Sequence, residues 1–212
     1  PTFDKIEAPG ICIPFMSLPP DHVAKSYLRD VRRFDVDWLS QNYPLSYCKT
    51  AKNKAVENRI VFAIHDELGW KGFQTRAPRD PAPTPKWYTC RGFKKSRHLY
   101  NLDRAVQTGT VVLTEGILDA LSCGFNGVCS FGKALSLDQV NLLSSKMKFK
   151  GRVIVAYDDD ASKWTRDAYE KLRPVVNEVL RLDLPEGADP ADLGWDKMYR
   201  LIKDKFDVKL QC

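Results

Sequence analysis

Val111-Val112-Leu113-Thr114-Glu115-Gly116-Ile117-Leu118-Asp119 and Val153-Ile154-Val155-Ala156-Tyr157-Asp158-Asp159-Asp160 are the two stretches whose reading decides the fold. Each is an apolar, β-branched run that ends on acids. A short apolar run bounded by a turn signal reads as a buried strand. In an open parallel sheet the strand C-termini line one edge, and ligands bind in the crevice there. Two strands that each deliver carboxylates to such an edge can hold a divalent cation, which points towards phosphate chemistry.

The chain around these runs alternates. Strands over 110–114, 127–131, 152–158 and 181–185 are followed by helices over 117–124, 136–147, 164–180 and about 190–203. Strand and helix in strict alternation predict an α/β parallel sheet with helices as short right-handed crossovers. The preceding part reads as α+β. Asp21 is placed to cap a helix over 22–31, and a second short helix is expected over 36–41. Arg59-Ile-Val-Phe-Ala-Ile64 and Lys71-Gly-Phe-Gln-Thr-Arg76, joined through Asp66-Glu67-Leu68-Gly69, predict a β-hairpin with Gly69 at the turn. Pro78, Pro81, Pro83 and Pro85 mark a loop, and Trp87-Tyr88-Thr89 a third short strand. Pro1, Pro9, Pro14, Pro19 and Pro20 make residues 1–20 read as an irregular arm. The expected organisation is therefore an arm over 1–20, a basic α+β subdomain over 21–105 and a parallel-sheet subdomain over 106–205.

A length of 212 residues suits one large domain or two small ones, and 43% hydrophobic with 28% charged residues is ordinary for a globular chain. No apolar run reaches the length of a membrane span, and no secretory leader is visible. The chain opens on Pro1, as a processed or excised piece would. Cys12, Cys48, Cys90, Cys123, Cys129 and Cys212 form no Cys-x-x-Cys pair, and His22, His65 and His98 are scattered. Zinc spacing is absent, and reduced thiols in a cytoplasmic setting are expected. No phosphate-cradling Gly-x-x-x-x-Gly-Lys-Ser/Thr loop or Gly-x-Ser-x-Gly elbow occurs.

Charge is uneven along the chain. The formal balance is 33 − 27 = +6. Cations concentrate between Lys49 and Arg104, while the acidic clusters follow. A basic half before an acidic metal-type edge suits an enzyme acting on a polyanion.

Each site residue has a plain structural reading beside its functional one. Glu115 closes a strand, where folding needs no carboxylate, and Gly116 permits a tight turn. Asp119 lies near a helix start, where an acid also complements the helix dipole. Asp158 and Asp160 stand two apart, so in extended chain they face one way. Such a pair suits a hard cation bound through oxygen. Asp189-Pro190-Ala191-Asp192 reads as a capped helix start with proline at its first position, or as a further metal or phosphate contact on the same edge. Lys94, Lys95 and Arg97 read as a solvated loop or a polyanion contact. Arg59 and Arg76 read as edge residues of the hairpin or as phosphate ligands.

Taken together, these residues resemble the RNA polymerase domain of DnaG-type primases. Glu115-Gly-Ile-Leu-Asp119 is similar to the first acidic motif of the family's Toprim domain, and Ser130-Phe131-Gly132 to its next strand and loop. Tyr157-Asp158-Asp159-Asp160 resembles its Phe/Tyr-Asp-Gly-Asp motif, and Asp189-Pro-Ala-Asp192 its third acidic motif. Arg59 to Ile64, Gly72 to Arg76, Pro85 to Tyr88, and Phe93-Lys-Lys-Ser-Arg97-His-Leu-Tyr100 follow the order of the subdomain preceding Toprim in that family. Asp159 stands where the family has glycine, Lys133 where it has threonine, and Ser96 where it has glycine.

The resemblance implies metal-dependent synthesis of short RNA primers on single-stranded DNA from ribonucleoside triphosphates, and a bacteriophage source. Mg2+ or Mn2+ would be held by Asp158, Asp160 and Asp119, with Glu115 as ligand or proton acceptor and Asp189 and Asp192 nearby. Arg59, Arg76, Lys86, Lys94, Lys95 and Arg97 would hold triphosphate or template, and a replicative helicase would be the partner. The family's zinc-binding module and helicase-contacting region lie outside this chain. A Toprim-type nuclease and a non-catalytic adaptor for single-stranded DNA are the alternatives.

Overall fold

The structure, a computed structural model, describes residues 6–79, 85–147, 151–158 and 162–212. The chain divides into two compact units, Pro1–Phe93 and Lys94–Cys212.

The first unit is built on a five-stranded antiparallel meander. Its strands are β1 (Ile11–Pro14), β2 (Leu45–Thr50), β3 (Arg59–Asp66), β4 (Gly69–Arg76) and β5 (Trp87–Thr89), adjacent in that order. The expected hairpin is β3 and β4, paired from Ile60 opposite Arg76 down to Asp66 opposite Gly69, and Gly69 takes φ +101° at the turn. The arm expected over 1–20 is partly regular. Residues 11–14 add an edge strand to β2, and a 3-10 turn follows over Phe15–Ser17. Pro14 ends that edge strand, where a missing N–H breaks no ladder. The helix expected over 22–31 begins as α1 (Val23–Ser26) and runs into a π-helical turn, Tyr27–Val31. Its cap is His22, whose Nδ1 accepts from the Ala24 N–H at 3.2 Å, in place of Asp21. The second helix, α2 (Val36–Asn42), is capped by Asp35. Cys48, Val61, Phe73 and Cys90 form the core of the sheet's buried side.

The second unit carries a four-stranded, wholly parallel sheet of β6 (Thr110–Thr114), β7 (Gly127–Cys129), β8 (Arg152–Val155) and β9 (Glu178–Arg181), in the order β7-β6-β8-β9. The helices are α3 (Leu102–Ala105) before the sheet, then α4 (Ile117–Leu121), α5 (Leu137–Met147), α6 (Ser162–Leu172) and α7 (Pro190–Phe206) after successive strands. Period-two alternation sends the strands' apolar side chains to both faces. Val111, Leu113, Val153 and Val155 pack with Val140 and Leu143 of α5 and Leu172 of α6. Val112, Ile154 and Ala156 pack with Met198 and Ile202 of α7. At Gly127 the chain passes so close to α4 that a Cβ would meet the Ala120 carbonyl oxygen.

Several boundaries differ from the expectation: the helix expected over 117–124 ends at Leu121, and the strands expected over 127–131 and 152–158 end at Cys129 and Val155. The helix expected over 164–180 stops at Leu172, and the strand expected over 181–185 is β9 at Glu178–Arg181. Pro174 supplies the reason. It cannot donate into a helix, and it disfavours helical backbone at Arg173. The last helix is longer than expected, with a kink at Gly194, which takes φ 72°.

Residues 94–105, grouped by sequence with the basic subdomain, fall within the second unit. Tyr100 donates its N–H to the Cys129 carbonyl at 3.0 Å, and a 3-10 turn over Lys95–Arg97 is tied to the start of α5.

Candidate functional site

In the second unit, β6 and β8 are direct neighbours, with Leu113 opposite Val155. Their C-terminal extensions therefore bring Glu115 and Asp158 to the same sheet edge. Both side chains are half-buried, and the atoms Glu115 Oε2 and Asp158 Oδ1 are shut off from solvent. Asp160, together with Asp159, lies outside the described residues. Asp189 sits where the chain turns from β9 into α7.

Asp119 occupies a different position from its neighbours. It is 8% exposed, in the first turn of α4. Its Oδ2 accepts from the Gly116 N–H at 2.9 Å, and its Oδ1 from the Ala191 N–H at 3.2 Å. One carboxyl group thus caps the N-termini of α4 and α7 at once, using both oxygens on backbone donors that helix ends leave open. Burial pushes its carboxyl up to about 7. The negative fields of Asp189 and Asp158 add to that, and the two amide bonds pull the other way. Gly116 is required for room rather than for its turn. Its φ of −115° is ordinary extended backbone, but a Cβ there would lie 2.7 Å from Asp119 Oδ2.

Asp189 is the N-cap of α7, accepting from the Asp192 N–H at 2.6 Å, with Pro190 at the first helical position. Asp192 itself is exposed. Among the described residues no group of three or more His, Cys, Asp or Glu converges as a metal cage. Mg2+ is commonly held by one or two protein carboxylates, with substrate phosphates and waters completing the octahedron. Glu115 and Asp158 at one edge are hard oxygen donors of that kind. Asp158 and Asp189 lie near enough to Asp119 for their negative fields to raise its pKa.

The basic residues fall into two groups. Lys94, Lys95 and Arg97 are exposed, in or beside the 3-10 turn of the second unit. Arg97 pairs with Asp138 at 3.6 Å. Arg59, Arg76 and Lys86 belong to the first unit. Arg59 and Arg76 are 5% and 3% exposed, so the reading of them as ordinary edge residues does not hold. Arg59 donates to the Pro85 carbonyl at 2.8 Å and, at 3.4 Å, to the carbonyl of the exposed Lys86. Burial draws the Arg59 guanidinium below its ordinary pKa, and the positive charges of Arg79 and Arg76 add to that. Arg76 donates to the Tyr27 hydroxyl at 2.9 Å and lies over the Tyr27 and Trp87 rings, at 5.6 and 5.4 Å from their centroids. Arg79, which the motif reading did not single out, joins this cationic group through space. Its only signal in the sequence is membership of the basic stretch.

A sheet with this order and these edge acids, preceded by a basic antiparallel unit, defines a Toprim-type α/β protein. The particular fold is that of the RNA polymerase domain of DnaG-type primases. The zinc-binding and RNA polymerase domains of the Aquifex aeolicus primase superpose with a TM-score of 0.62 at 24% identity, covering 91% of this chain and 63% of that one. The RNA polymerase domain of Mycobacterium tuberculosis DnaG, solved in complex with double-stranded DNA, gives 0.65 at 20% identity, covering 88% and 74%. In sequence, the chain is 36% identical over 168 residues to a DNA primase of Aquifex aeolicus, a match spanning 71% of this chain and 33% of that protein. The chain thus spans about a third of the length of that relative. No protein-family model matches it.

Proposed function

We propose that this chain is the catalytic core of a DNA primase, making short RNA primers on a single-stranded DNA template from ribonucleoside triphosphates. The observation that carries the reading is the delivery of Glu115 and Asp158 to one edge by adjacent parallel strands, in a fold shared with primase polymerase domains. Glu115, Asp158 and Asp160 would hold Mg2+ or Mn2+, with Asp189 and Asp192 facing outer ligands. Asp119 would contribute through its negative field while holding α4 and α7. When bound, such an ion supplies charge stabilisation at the transferring phosphoryl group and makes the attacking 3′-hydroxyl more acidic. By the sequence resemblance, Glu115 would serve as a metal ligand or accept that hydroxyl's proton.

Lys95 and Arg97, with Lys94, would neutralise the triphosphate. The exposed Lys86 would contact template phosphates directly, and the buried Arg59 and Arg76 would act on them through their positive charge. Phosphate contacts of this type position a strand without reading its sequence, so affinity for single-stranded DNA should fall steeply with salt. Among the described residues no helix is long and apolar enough to cross a membrane. A cytoplasmic setting, a replicative helicase as partner and a bacteriophage source belong to the same proposal and rest on the sequence resemblance.

The test is to incubate the protein with single-stranded DNA, labelled ribonucleotides and either metal. Short RNA products that vanish in Asp158→Ala support the reading. Cleaved DNA without RNA would assign a nuclease, and binding with neither product an adaptor.

A further inference from the structure

Gln139 is 1% exposed, and its side chain makes more hydrogen bonds than helix capping requires. Its Oε1 accepts from the Ser136 N–H at 3.0 Å, while the Gln139 N–H donates to Ser136 Oγ at 3.1 Å. That reciprocal pair is a capping box, Ser-x-x-Gln, at the start of α5. A capping box leaves the amide nitrogen unused. Here Nε2 lies 3.0 Å from the Lys95 carbonyl, 2.9 Å from the His98 carbonyl and 2.9 Å from the Ser130 carbonyl. Three acceptors around one atom and a donor facing the other leave the amide a single orientation.

Two of those carbonyls bracket the turn that carries Lys95 and Arg97. Ser136 holds the residue between, donating its hydroxyl to the Ser96 carbonyl at 2.5 Å. The third carbonyl belongs to Ser130, which joins the ends of β6 and β8. Its N–H donates to the Thr114 carbonyl at 3.0 Å, and its Oγ accepts from the Tyr157 hydroxyl at 3.1 Å. The Gly132 N–H donates to the Glu115 carbonyl at 3.0 Å. A continuous set of hydrogen bonds therefore runs from the basic turn through Gln139 and Ser130 to the residues flanking Glu115 and Asp158.

We infer that Gln139 is a positioning residue, which holds the Lys95–Arg97 turn at a set distance from the acidic strand ends. The inference rests on the primase reading for what the turn contacts, the triphosphate of the incoming nucleotide. A misplacement of about an ångström at such a contact costs on the order of a hundredfold in rate.

Gln139→Glu keeps the capping-box acceptor and removes both N–H donors that face the three carbonyls, so it separates capping from positioning. Amide hydrogen exchange at Arg97 and His98, whose N–H groups bond Lys94 and Lys95 across the turn, should quicken about tenfold or more, while amides of the α5 interior keep their protection. In the primer assay, KM for ribonucleotides should rise about tenfold with a smaller change in kcat. In a Lys95→Ala background the same substitution should add no more than about twofold. Should a buried carboxylate prevent folding, Gln139→Met, of similar length, removes the cap acceptor together with the donors, and quickened exchange at 97–98 beyond any change in the first turn of α5 supports the inference. Unchanged exchange at 97–98, or an equal loss in both backgrounds, overturns the inference. If the wild-type protein makes no primer, the primase reading fails while the exchange measurement still decides what Gln139 holds.

Discussion

The two units keep charge of opposite sign inside a folded chain by opposite means. In the parallel unit the acids stand at strand ends and helix starts. Asp119 and Asp189 are held by backbone N–H groups at the N-termini of α4 and α7, the positive ends of the helix dipoles. In the antiparallel unit the cations lie at the ends of central strands, where no helix end is offered. Arg59 is held by carbonyl oxygens, and Arg76 by a hydroxyl and two ring faces. A carboxylate can be satisfied by donors a parallel sheet supplies at its edge. A guanidinium needs acceptors and π faces, which a meander with aromatic strand residues supplies. Each unit holds a charge that its own scaffold tolerates.

The largest test of this contrast is chemical. Asp158→Ala should lower metal-dependent primer synthesis about a thousandfold or more, with the fold preserved by circular dichroism. Arg59→Ala should leave the metal edge untouched and weaken single-stranded DNA binding instead, with a shallower slope of log affinity against log salt. If Arg59→Ala abolishes synthesis at saturating DNA, the division of labour between the units is wrong.

A next comparison is of stability. Arg76→Ala removes a buried cation together with its stacking on Tyr27 and Trp87, and should cost about 2–4 kcal/mol in denaturant unfolding. Arg76→Lys keeps the charge and loses the planar stack, so it should recover only part of that loss.

Asp119 supplies the pH test. Its ordinary value is 3.8 and its folded value about 7, so between those values the folded state binds the proton that the unfolded state has lost. Stability in metal-free buffer should therefore fall as pH rises from about 4 to about 7. Asp119→Asn, which cannot titrate, should flatten that part of the curve. A curve that stays steep in the variant would remove Asp119 as the cause. The smallest effect belongs to the Arg97–Asp138 pair, whose side chains are 63% and 60% exposed. Asp138→Ala should shift stability by no more than about 0.5 kcal/mol.

Much of this was legible before folding. The runs at 110–114 and 152–155 announce buried strands, since only a sheet covered on both faces reads as unbroken β-branched residues. The hairpin from Arg59 to Arg76 follows from Gly69 and its flanking strand pattern. Misread elements have local causes. Pro174 stood inside an expected helix and ended it. Pro14 suggested an irregular arm, although a strand at a sheet edge tolerates proline. The plain reading of Asp119 as a cap was available, but one carboxyl group capping two helices was not, because Ala191 lies 72 residues away. Nothing in the sequence marks Gln139 beyond a Ser-x-x-Gln spacing, since its three carbonyl partners come from two other segments.

By itself the sequence determined the class of the sheet, the strand ends that carry acids and the concentration of cations before them. Periodicity and residue type act over a few neighbours and so survive in a linear reading. Only the tertiary structure decided that β6 and β8 are neighbours, that Asp119 is buried between two helix starts, that Arg59 and Arg76 lie inside their unit, and that the Lys95 turn belongs with the parallel sheet. Those outcomes depend on which distant segments satisfy one another's hydrogen bonds and apolar faces, a matter that long-range packing settles and local pattern does not contain.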